Sequence, residues 1–166
     1  MNMTHYMELL ATNQPWNLLI FMAIPIVLAE TLAITELYLL STRNYTGWVN
    51  GLNRMAGITV GLYFIGVIIY LLKTAVLPIT QAGEWRTIID MVAVGSYLIG
   101  GLPLIYIAFQ ELGWVNTQAS DAAKRHTHAV CVALFLIFGH IAMITGMLDP
   151  SLLGYMPEGM SEVHNH

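Results

Sequence analysis

Long apolar runs separated by short polar breaks dominate the chain from Trp16 to Leu148. Four of them, residues 16–40, 55–77, 87–109 and 129–148, reach the roughly 20 helical residues that a bilayer's hydrocarbon core requires. The pattern predicts an all-α integral membrane protein with four transmembrane helices in an antiparallel bundle. An N-terminal arm or short interfacial helix (1–15) precedes the bundle (16–148), and a tail (149–166) containing Met and His follows it. Pro25 and Pro103 fall inside the first and third runs, where a lost backbone donor predicts a kink. The Gly57-x-x-x-Gly61 pair predicts close approach of a neighbouring helix.

Composition agrees with that reading. Of the 166 residues, 57% are hydrophobic and 10% charged, against about 25% charged in soluble domains. The net charge of -4 argues against nucleic acid as a partner. A single cysteine, Cys131, excludes an intramolecular disulfide and reads as a small core residue. Residues 1–15 hold no Lys or Arg, so the first span is expected to act as its own insertion signal rather than as a cleaved leader.

The basic residues set the expected orientation. Of the six, Arg43, Arg54, Lys124 and Arg125 lie in the first and third loops, leaving Lys73 and Arg86 for the second. The positive-inside rule then puts both termini outside, in the periplasm for a bacterial inner membrane. Gly47-Trp48-Val49-Asn50 recurs as Gly113-Trp114-Val115-Asn116, each time between two predicted spans. This suggests tandem duplication of a two-helix hairpin.

Candidate chemistry gathers toward one side of that topology. His140, Met143 and Met147 are three and four residues apart on the fourth span and share a helical face. Imidazole and thioether suit a soft transition metal such as copper. The tail repeats the ligand types as Met156, Met160, His164 and His166, and the arm carries Met1, Met3, His5 and Met7 behind a capping Thr4. With Met22 and Met91, nine of the ten methionines fall in or beyond the outer half, leaving Met55 near the inner face. Side chains used only to fill gaps have no reason to favour one leaflet.

Ionisable residues inside the spans are costly and mark candidate paths. Glu30 lies near the middle of the first span and is expected to be protonated, or to face a cation or a wet cavity. Glu36 is expected to pair with Arg54, and Asp90 with Lys73 or, alternatively, an outer metal. His126 and His128 stand near the inner end of the fourth span on roughly opposite sides. His126 and His140 share a face about 21 Å apart. Thr59, Tyr63, Gly66, Tyr70 and Lys73 form a stripe on the second span whose hydroxyls are expected to satisfy backbone groups. Gly95, Gly100 and Gly101 thin the third span for close packing or a cofactor.

No nucleophile–base set, phosphate loop or dinucleotide fingerprint is present, which argues against an enzyme. Three functions fit. The first is a permease, acceptor or chaperone handling a copper-like ion on the outer side, with His140, Met143, Met147 and the tail as ligands and Glu30 as a mid-membrane step. It would act as a homodimer or with a partner membrane protein. The second is a haem b protein exchanging electrons with quinone, using His140, alone with a Met or together with His126, as axial ligand. The third is a non-catalytic assembly subunit.

Overall fold

The computed structural model describes residues 4–149. All regular structure among them is helical, and four helices are long and apolar enough to cross a membrane. These are Trp16–Thr42, Trp48–Ala82, Ile88–Glu111 and Asp121–Met147, called the first to fourth spans. A short helix, α1 (His5–Ala11), precedes them.

The second and fourth spans begin at Trp48 and Asp121, not at 55 and 129, because their polar first turns are helical too. Ser120 caps the fourth span, its hydroxyl accepting from the Ala123 amide at 3.3 Å. Asn53, Arg125 and His128 in these turns find partners inside the bundle, so they need no loop to keep them in water. The repeated tetrapeptide occupies unlike settings. Gly47 is extended and opens the second span, whereas Gly113, with φ 78°, follows the end of the third.

Each span buries one helical seam: Phe21, Pro25, Ala29, Leu32, Glu36 and Leu39 on the first, and Asn53, Gly57, Val60, Phe64, Val67 and Leu71 on the second. These i, i+3 and i, i+4 spacings are what inward-facing stripes require. The third span packs against the second and fourth, and the first touches both of those as well. Phe64 sits at the centre, with Tyr97 at 5.9 Å and Phe135 at 5.3 Å between ring centroids. Cys131 is a buried free thiol in the same core.

Glycines bring the second and third spans together. A methyl group on Gly61 would lie 2.7 Å from the Leu104 carbonyl oxygen, and one on Gly57 would lie 2.9 Å from Ile107 Cγ2. The third span's Gly101 is covered by Phe64, a methyl there meeting Cδ1 at 2.6 Å, and Gly100 by Phe138. The room anticipated at Gly100 and Gly101 is therefore taken by aromatic side chains.

Pro25 perturbs its helix by a definite route. Residues Leu19–Ala23 form a π turn just before it, so the Ile24 amide bonds to the Leu19 carbonyl. Proline then offers no donor to the Ile20 or Phe21 carbonyls. Two phenols supply it: Tyr63 donates to Ile20 O at 2.7 Å and Tyr97 to Phe21 O at 2.8 Å. A second π turn, Leu72–Val76, precedes Pro78 and carries the second span on to Ala82.

The chain before the first span is docked onto the bundle. Thr4 caps α1, as expected, and also donates to Gly146 O at 2.7 Å. Tyr6 and Leu10 are buried, and Gly146 leaves the space that the Tyr6 ring fills. Asp90, fully buried, pairs with His5: Oδ2 lies 2.5 Å from Nδ1, and Oδ1 accepts the His5 amide at 2.7 Å. This corrects the expected Lys73–Asp90 pair. Lys73 is exposed within the π turn, while α1 brings an imidazole directly over the third span's first turn. Arg86 and Glu8 add an ion pair at 2.7 Å.

Candidate functional site

Two polar features stand at opposite ends of the bundle. At the end bearing α1, the fourth span's seam is interrupted between Phe135 and Ala142. A cavity of about 580 Å³ opens there between the first span, the fourth span and α1. Its walls include Met7 from α1, Met22 and Glu30 from the first span, and His140, Met143 and Met147 from the fourth. Tyr6, Leu10, Phe21, Phe135 and Tyr97 make the remainder largely apolar. Met143 is half-buried and Met147 lies at the rim, 63% exposed.

His140 has a defined tautomer. Its Nδ1 is 2.6 Å from the Leu136 carbonyl, an atom that only accepts, so Nδ1 carries the proton. With Nδ1 turned to the carbonyl, Nε2 is the ring nitrogen left for another partner, the arrangement by which a backbone carbonyl orients a metal-binding histidine. Glu30 is exposed along the same cavity, beside the buried Ala29. Among the described residues no group of three or more His, Cys, Asp or Glu side chains is placed to hold a metal. The soft donors on the cavity wall are the thioethers of Met7, Met22, Met143 and Met147.

At the other end, four spans contribute to one buried ion cluster. Arg125 donates through Nη1 to Glu36 Oε1 at 3.0 Å and to Asn53 Oδ1, and its Nη2 lies 3.1 Å from Glu111 Oε1. His128 Nδ1 is 2.8 Å from Glu36 Oε1 and 3.6 Å from Glu111 Oε1. Asn53 passes the network on to Thr35 at 2.7 Å. Glu36, Asn53 and His128 are fully enclosed. The expected Glu36–Arg54 pair is thus replaced: Arg54 is mostly exposed and reaches Glu111 at 3.7 Å, while the fourth span supplies the partner of Glu36. Residues 121–128 are helical and not a loop, which carries Arg125 into the bundle.

The sequence-derived candidates therefore separate. His140, Met143 and Met147 share the cavity with Glu30, and Met22 and Met7 join them from other elements. His126 is exposed at the cluster end and does not line the cavity, Met91 lies on an exposed face, and Asp90 is occupied by His5. Met1, Met3, Met156, Met160, His164 and His166 lie outside the described residues. Periodicity alone held the clue to the missed cluster, since Arg125 and His128 are one turn apart and Asn53 is in phase with Gly57 and Val60.

Four membrane-length helices, an ionic cluster among them and a groove lined by sulphur and imidazole define a small polytopic membrane protein. The chain belongs to DUF6803, a family of unknown function whose model matches residues 1–162. No curated protein and no solved structure matches it.

Proposed function

We propose that the protein binds a soft transition-metal ion, best matched by Cu(I), in the cavity between α1 and the first and fourth spans. It would serve there as a permease, acceptor or chaperone. One observation carries the reading: four thioethers and one imidazole, drawn from three separate elements, line a single cavity. A methionine recruited to fill space closes a gap. Here Met7, Met22, Met143 and Met147 border about 580 Å³ that they leave open. His140 offers Nε2 as the nitrogen donor, and Glu30 is the anionic or proton-accepting group nearest that ion's route.

The topology that goes with this reading is an antiparallel bundle with both termini outside, as the basic residues of the loops suggest for a bacterial inner membrane. The cavity would then open on the outer side. A route across the membrane built from four spans would call on a second copy or a partner membrane protein.

A haem b reading has one observation in its favour: the cavity is much larger than a single ion occupies, and lies in the range of organic ligand sites. His140 and Met22, both on the cavity wall, would hold the haem iron. Elemental analysis and a visible spectrum of the purified protein separate the two readings, a Soret band marking haem. For the metal reading, the expected result is one Cu(I) per chain in an anaerobic titration against a chelator. Weaker binding is expected in His140→Ala and in the volume-conserving Met22→Leu and Met143→Leu variants. Unchanged affinity in all three variants would remove the basis for a Cu(I) site.

A further inference from the structure

The ion cluster at the end away from α1 has no part in the cavity, and the charges around it do not balance. From the first span comes Glu36, from the second Asn53 and Arg54, from the third Glu111, and from the fourth Arg125 and His128. Lys124 and His126 flank the cluster on the fourth span, half-buried and exposed respectively. The enclosed charges are two carboxylates and one guanidinium: Glu36 is 2%, Glu111 11% and Arg125 9% exposed by side chain. Arg54, at 62% exposed and 3.7 Å from Glu111, is solvated and screened, so it offsets little of the remaining negative charge.

A net charge sealed among apolar helices is costly, and the available remedy is a proton. We propose that the cluster is a proton-binding site, with one exchangeable proton held on His128 between Glu36 and Glu111. Nδ1 sits 2.8 Å from Glu36 Oε1 and 3.6 Å from Glu111 Oε1, and 3.3 Å from Arg125 Nη1, whose protons are directed to Glu36 Oε1 and Asn53 Oδ1. An imidazolium there makes the enclosed set neutral: two cations against two anions. The same cluster retains polar atoms that no protein group satisfies. Glu36 Oε2 and His128 Nε2 are both buried and unpartnered. A purely structural salt bridge gains nothing from such orphans, whereas a site that takes up and passes on a proton needs a free lone pair or N–H facing its route. Glu111, the least enclosed of the carboxylates, lies on the side toward Arg54 and is the point of contact with water. The inference stands apart from the metal reading, since none of these residues lines the cavity.

The test is ¹⁵N NMR of histidine-labelled full-length protein in lipid nanodiscs, with His128 assigned by a His128→Gln variant. Wild-type protein is expected to show both His128 ring nitrogens protonated at neutral pH, and Glu36→Gln to convert the ring to its neutral form. That signal should fall reversibly as the pH is raised while circular dichroism stays constant. A signal that persists until the helices unfold marks a fixed ion pair and overturns the exchangeable site. Arg54→Gln, an exposed change that leaves the fold intact, supplies the independent arm. Under the proposal His128 remains an imidazolium in it. A ring that is neutral in wild type and gains a proton only in Arg54→Gln would identify Arg54 as the neutralising cation and refute the assignment.

Discussion

Replacing Arg125 by Met removes the one enclosed cation that the first, second and third spans share. Its guanidinium reaches Glu36 at 3.0 Å, Glu111 at 3.1 Å and the Asn53 amide oxygen, and its side chain is only 9% exposed. The change takes the guanidinium from Glu36, Glu111 and the Asn53 amide oxygen, leaving His128 as the one enclosed partner of the two carboxylates. Breaking a buried pair in this way costs about 3–5 kcal/mol. At about 2–4 °C per kcal/mol for a chain of this size, the loss corresponds to roughly 6–20 °C in Tm. Removing both partners should be far milder. Arg125→Met combined with Glu36→Leu deletes one charge of each sign and is expected to fall within about 2 kcal/mol of wild type. A double-mutant cycle, followed by circular dichroism in mixed micelles of denaturing and mild detergent, should therefore yield a coupling above about 2 kcal/mol. Interhelical hydrogen bonds in membrane proteins average only about 0.6 kcal/mol in such cycles. A coupling at that level, or a single-variant loss under about 1 kcal/mol, would mean that water reaches the cluster and that its charges are not sealed in.

Four further outcomes follow from the geometry. Gly61→Ala should lose about 1–3 kcal/mol, because the methyl meets Ala108 and lies 2.7 Å from Leu104 O. Gly66→Ala on the same span meets nothing within 4 Å and should be neutral or stabilising by up to about 1 kcal/mol, measured by the same unfolding assay. Tyr97→Phe leaves the Phe21 carbonyl beside Pro25 without a donor and should cost about 1–3 kcal/mol, and an unaffected Tm would show that water replaces the phenol. Burial pushes the Tyr6 phenol from 10.0 up to about 12. The docked state therefore binds more protons than the undocked one above pH 10, and docking of α1 should weaken as pH rises from there toward 12. The loss approaches about 2–3 kcal/mol at the top of that window. Phenolate absorbance and protease cleavage near α1 would track it, and Tyr6 ionising at its ordinary value would contradict the burial.

Run length and hydropathy alone determined four membrane-length helices in this chain, because an apolar stretch of that size has no other way to satisfy its backbone in lipid. The sequence also located the close approach at Gly57 and Gly61, the cap at Thr4, and three residues of the cavity wall, His140, Met143 and Met147, since helical phase relates residues within one element. What crosses between elements was decided only by the tertiary structure. Met7 and Met22 reach the cavity from α1 and the first span, and Tyr63 and Tyr97 meet carbonyls freed by a π turn that no pattern announced. The choice of Arg125 over Arg54 for Glu36, and of His5 over Lys73 for Asp90, depended on which side chains the packed helices enclose together. In a low-dielectric interior an ion pairs with whatever is sealed in beside it, and distance along the chain carries no information about that.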